Sequence, residues 1–174
     1  MAIRDTILPE FDQEMANTRK MLERIPDDRF DFQPHPRSWK TNRLAGHVAD
    51  LPGWVSHTMR TEVLEMEPGQ YAPFEPITRK ELLEQFDRYT REAHDAIAAA
   101  TDEQLNAIWN MKWSGKTVMT MPRLQVLRSI ILNHLIHHRA QLGVYLRLMD
   151  VAVPGMYGPS ADEAPFGMTD EKAA

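Results

Sequence analysis

Apolar residues return every three or four positions in four stretches of this chain, and each such run marks one face of a helix. The first stretch runs from Ile3 to Ile25, with Ile7, Phe11, Met15, Thr18 and Leu22 in register. Pro26, Pro34 and Pro36 then forbid its continuation. The second begins at Ser38 or Thr41, both good caps, and runs to Glu65. A proline-rich connection, "EPGQYAPFEP", follows it. The third starts at the capping-box sequence "TRKE", Thr78 to Glu81, and carries Leu82, Phe86, Tyr89, Ala93 and Ile97 on to Ala100. From Thr101 to Met121 the pattern alternates around Ser114 and Gly115, which predicts a short hairpin. The fourth helix has Pro122 in its first turn and ends near Leu148. After Val151 the tail, residues 152–174, is rich in Pro and Gly and predicts no regular element.

Four amphipathic helices with one long crossover predict an all-α fold, a four-helix bundle forming a single domain over residues 1–174, with the hairpin before its last helix. The alternative is an irregular α-domain with a small β appendage. The 174 residues are enough for a real core. A net charge of −5 gives no reason to expect a nucleic-acid partner. The absence of cysteine excludes disulfides, thiolate ligands and a cysteine nucleophile. No run reaches the roughly 18–20 apolar residues that span a bilayer, and the N-terminus is charged with no leader-like apolar core. The expectation is a soluble, cytoplasmic chain that acts on a small molecule, away from membranes.

Within the fourth helix, "ILNHLIHHRAQL" sets three histidines among apolar residues. At about 100° per residue, His138 falls about 40° from His134, inside the stripe that also holds Leu127, Ile131, Leu142 and Tyr145. His137 falls at the stripe's edge and is set aside. On the second helix, His47 shares its face with Leu44, Leu51 and Trp54, whereas His57 turns to the polar side. His35 lies in a loop, and His94 beside Ala93 has no clear direction. A lone inward histidine is usually a hydrogen-bonded core residue. A pair four residues apart on one stripe, with a third on another helix, is instead a candidate metal centre built from His47, His134 and His138. Zn²⁺, Ni²⁺, Fe²⁺ and Cu²⁺ all suit three imidazoles. Three protein ligands leave a coordination position open, which is the pattern of catalytic centres. Position 131 is Ile, so the Glu-x-x-His of di-iron bundles is absent.

Around the triad, Gln141 lies on the inward stripe and is the candidate to orient one ligand from behind. Asp50, one turn after His47, is the candidate to orient another or to act as a catalytic base, with a solvated surface charge as the alternative. Trp54 and Tyr145 read as core first and pocket lining second. Arg139 lies on the far side of the fourth helix, where a salt bridge or a dimer contact is expected.

The stretches "HPRSWKTNRLAGHVADLPGW" and "NHLIHHRAQLGVYLRLMDVAVPGMYGPSADE" resemble the DinB/YfiT-like superfamily over nearly the whole chain. The resemblance is carried by the Trp39-to-His47 spacing, the His-x-x-x-His step with its trailing Arg-x-Gln, and the Pro-Gly-x-Tyr-Gly tail. It implies a helical bundle with a three-histidine metal site on His47, His134 and His138, and a homodimer. It also implies an enzyme of the thiol S-transferase or hydrolase-like kind. Relatives of that superfamily use low-molecular-weight thiols, one of them as a mycothiol-dependent maleylpyruvate isomerase. The implied cofactor is a divalent transition metal, zinc or nickel before iron, together with an external low-molecular-weight thiol, since the chain has none of its own. A non-catalytic metal-binding protein and a helical dimerisation module are the competing classes.

Overall fold

A computed structural model describes residues 1–164. The protein is mostly helical. Helix α1 spans Ile3–Leu22, α2 Thr41–Asp50, α3 Gly53–Arg60 and α4 Arg79–Ala98. A short α5, Asp102–Asn106, precedes strands β2, Ile108–Trp113, and β3, Lys116–Pro122. The last helical stretch comprises α6, Arg123–Gln125, a π-helical segment over Val126–Leu132, and α7, Asn133–Leu148. Helix α4 packs against α1, α2 and α3, while α7 packs against α1 and α2. Phe11, Leu22, Leu44, Phe86, Ile131 and Leu135 are among the buried apolar side chains between them. No helix among the described residues is long and apolar enough to cross a membrane.

The structure departs from the expected elements at three places. The helix expected to run from Ser38 or Thr41 to Glu65 is broken after Asp50, because Pro52 has no N–H to continue the ladder and its ring crowds the preceding turn. Its last residues are not helical: Val63–Met66 form strand β1, which pairs in parallel with β2. The expected hairpin is present. Its turn residues Ser114 and Gly115 both have positive φ, 48° and 75°, as a tight right-twisting hairpin demands. It belongs, however, to a three-stranded sheet in the order β1-β2-β3, so the chain is not purely α. Finally, the helix expected to be regular from Pro122 onward carries the π segment before it settles into α7.

Local chemistry explains the ends. Thr78 caps α4 by accepting from the Glu81 amide, and Glu81 reaches back to the Ile77 amide. Arg123, itself buried, donates to the carbonyls of Thr58 and Thr61 and so closes the C-terminal end of α3. In the tail, residues 152–164 have no helix or strand, as expected, but they are fastened down. Asp162 accepts from Arg147 and from the Val153 amide, and Glu163 accepts from the Gly155 amide. The rest of that stretch lies outside the described residues.

The proline-rich connection matters for the site because it lies on α2. A side chain at Gly46 would place its Cβ 1.9 Å from the Phe74 carbonyl oxygen, so only glycine lets this backbone approach so closely. Gly46→Ala is therefore expected to push residues 74–76 off α2 and to cost about 1–3 kcal/mol of stability. Chemical denaturation of the two chains measures this difference.

Candidate metal centre

Each of the three expected histidines sits within a regular α-helical segment, His47 on α2 and His134 and His138 on α7. Helix–helix packing brings them together. The Nε2 atom of His134 lies 3.3 Å from that of His47 and 2.9 Å from that of His138. One ligand nitrogen from each lies within 4.8 Å of the others, and all three side chains are half-buried. Metal–nitrogen bonds of about 2.0–2.1 Å at about 90–110° to one another separate their nitrogens by about 2.9–3.4 Å. Both contacts fall in that window.

Hydrogen bonding points the same way. His138 Nδ1 meets the Gln141 side-chain oxygen at 2.7 Å, and that contact requires the proton on Nδ1. The Ile130 carbonyl also acts on the His134 ring, favouring its protonated form against the effect of burial. His138 therefore presents an unprotonated Nε2, and at 2.9 Å from His134 Nε2 the two nitrogens call for either a shared proton or a cation between them. The fit of the donor set to a metal ion is good. Burial favours the neutral rings as well. It pushes the His47 pKa down to about 4, with the neighbouring His138, His134 and Arg43 adding to the effect. Burial also lowers the pKa of His134, where the Ile130 carbonyl opposes it, and of His138, where Gln141 opposes it.

Gln141, expected on the inward stripe, is exposed, and its side-chain oxygen meets His138. Its amide nitrogen meets His137 Nε2 at 3.1 Å, so His137 is outside the triad but fixes which way Gln141 faces. Asp50 stands elsewhere. Its carboxylate accepts from Tyr71 Oη at 3.3 Å, from Gln85 Nε2 at 3.1 Å and from the Phe74 amide. Among the described residues no hydrogen bond joins it to the triad. Burial raises its pKa against the pull of those three donors. His57 is exposed, His35 accepts from the Arg37 amide, and His94 pairs with Asp12 at 2.9 Å.

Trp39 was not singled out by periodicity, because it lies in the loop before α2. Its ring stacks on His138 at 5.7 Å between centroids and meets His47 edge-on at 5.5 Å. Its carbonyl accepts from Tyr145 Oη at 2.9 Å, which anchors the loop to α7. The only signal for it in the sequence was its spacing from His47. Trp54 lies away from these rings, in a cavity with Asp50.

The fold has solved counterparts. A DinB-like protein from Bacillus cereus ATCC 10987 superposes with a TM-score of 0.70 at 22% identity, covering 90% of this chain and 98% of that one. A mycothiol-dependent maleylpyruvate isomerase gives a TM-score of 0.58 at 14% identity, covering 80% of this chain and 60% of that one. At these identities the likeness is one of fold. In sequence, the uncharacterised protein YrdA of Bacillus subtilis strain 168 is 25% identical over 174 residues, which is 97% of this chain and 96% of that protein. The DinB family model matches residues 2–171, nearly the full length, and the chain belongs to the DinB family.

Proposed function

We propose that this protein is a metal-dependent S-transferase, in which His47, His134 and His138 hold a divalent transition ion, zinc or nickel before iron, and an external low-molecular-weight thiol supplies the nucleophile. The convergence of three neutral Nε2 atoms carries this reading. A divalent ion held there supplies Lewis acidity that makes a thiol or a water nucleophilic at neutral pH. The chain's own residues do the rest. Burial keeps the imidazoles neutral, Gln141 aims the ligand atom of His138 inward, and Trp39 covers the outer side of His138 and His47. Three protein ligands leave room for an incoming molecule. Because the chain has no cysteine, a sulfur nucleophile must come from outside. The mycothiol dependence named for the structurally similar isomerase supports a thiol as the co-reactant.

The test is turnover of a chloronitroarene or an epoxide by the metal-loaded protein with a panel of low-molecular-weight thiols. The expected result is product formation that needs both the ion and one of the thiols. Turnover without any thiol would make the protein a hydrolase instead. Complete inactivity across the panel, with the ion still bound, would overturn the catalytic reading.

A further inference from the structure

Along α2, the helix that carries His47, opens a cavity of about 270 Å³ lined by α2, α3, β1, α4 and the proline-rich connection. Its walls include Trp54, Tyr71, Tyr89, Leu64 and Met66, and its one acidic side chain is Asp50. His47 and Asp50 are one helical turn apart, about 5–6 Å between Cβ atoms, so the cavity adjoins the metal centre through α2.

Asp50 is half-buried, and among the described residues no basic side chain forms an ion pair with it. Arg43 acts on Asp50 through space only, without a hydrogen bond, and the guanidinium groups nearby lie over aromatic rings. That of Arg43 lies over the Trp39 ring at 4.9 Å, and that of Arg88 over the Tyr89 ring at 4.5 Å, where it also pairs with Glu92. A carboxylate removed from water is normally compensated by a positive charge. It offers about four lone-pair sites, and Tyr71, Gln85 and the Phe74 amide fill three of them. One acceptor site therefore remains, in a cavity whose other walls are aromatic and apolar apart from the exposed His57 imidazole. Aromatic faces attract cations as well as apolar groups. A metal ion is a poor fit, since hard cations want six or more oxygen ligands. Tyr89 forms a fixed wall, because its ring lies against the Gly53 backbone, where a Cβ would come within 3.1 Å of it.

We infer that this cavity binds a small organic amine, whose ammonium group donates to Asp50 while its apolar body lies against Trp54 and Tyr71. That such an amine is the electrophilic substrate's own anchoring group rests on the S-transferase reading; its binding does not.

The experiment is calorimetric titration of the full chain with 2-phenylethylamine and with its neutral counterpart 2-phenylethanol, before and after metal is stripped by chelation. The amine is expected to bind at least about tenfold more tightly than the alcohol, equally in both preparations. Asp50→Asn should abolish the preference, and Trp54→Leu should weaken both ligands. Equal affinity for amine and alcohol in the unaltered chain would overturn the inference without reference to any variant. So would no binding of either, a preference that survives Asp50→Asn, or amine binding that disappears with the metal. Loss of turnover with amine binding intact would instead count against the S-transferase reading alone.

Discussion

A chain carrying His134→Ala is expected to purify with no more than background metal, where the unaltered chain holds about one ion, and to lose any metal-dependent turnover. His134 is the residue to remove because its Nε2 makes both of the short contacts, 3.3 Å to His47 and 2.9 Å to His138. Without it the other two nitrogens no longer form a triad. Residues that orient ligands from behind are worth about 10–100-fold in metal affinity, so a lost ligand should cost more than about 100-fold. Gln141→Ala supplies the graded comparison. It removes the acceptor on His138 Nδ1 and should weaken affinity by about 10–100-fold while leaving the three ligands in place. His137→Ala should do less than either, because it touches the centre only through Gln141. Elemental analysis of protein purified without a polyhistidine tag gives the stoichiometry, and competition with a chelator gives the affinity. A His134→Ala chain that retains a full ion would place the metal elsewhere.

The triad was legible in the sequence because its three members lie in regular α-helix. Spacing of 100° per residue is valid from Asn133 onward and over Thr41–Asp50, so the inward directions of His47, His134 and His138 followed from counting. The same step is not valid over Val126–Leu132, where bonding to the fifth residue widens the turn. Leu127 and Ile131 are still buried, but Leu124, which the same count would set on their face, is only half-buried. No propensity separates a π segment from an α segment of the same apolar composition. Strand β1 was hidden for another reason. Four residues, Val63–Met66, cannot show a period of their own, and their pairing with β2 joins positions nearly fifty residues apart, Val63 with Asn110. Pro52 was a different case: the helix-breaking signal was present in "LPGW", and the apolar periodicity across it concealed the break. The partners of Asp50 were out of reach, since Tyr71 and Phe74 come from a segment with no periodicity at all.

Arg139→Met is expected to destabilise the protein by about 3–5 kcal/mol. The angular reading set Arg139 opposite the metal-facing stripe and expected a salt bridge or a dimer contact. The far side of α7 is covered by α1, and the salt bridge is made there. Arg139 is 2% exposed and pairs at 2.7 Å with Glu14 of α1, whose side chain is 7% exposed. Its guanidinium also donates to the Glu14 carbonyl and to Thr18 Oγ1, and Tyr157 of the tail accepts from it at 2.7 Å. Tyr157 Oη in turn lies 2.8 Å from both carboxylate oxygens of Glu14. Removing the cation strands Glu14 in a dry interface, and the desolvation cost of that charge is what the chain then bears. Replacing both members by apolar side chains removes the stranded charge, so Glu14→Leu with Arg139→Met should recover much of the loss. A double-mutant cycle in urea measures both the loss and the recovery. An additive double variant would mean that the pair is not coupled, and that Arg139 acts through its packing and its backbone acceptor alone. Tyr157→Phe completes the argument. It leaves the ion pair whole but deletes the tail's hydroxyl, so it should cost only about 1–3 kcal/mol and should release the tail, read as faster proteolysis after Val151, well before the helical core unfolds.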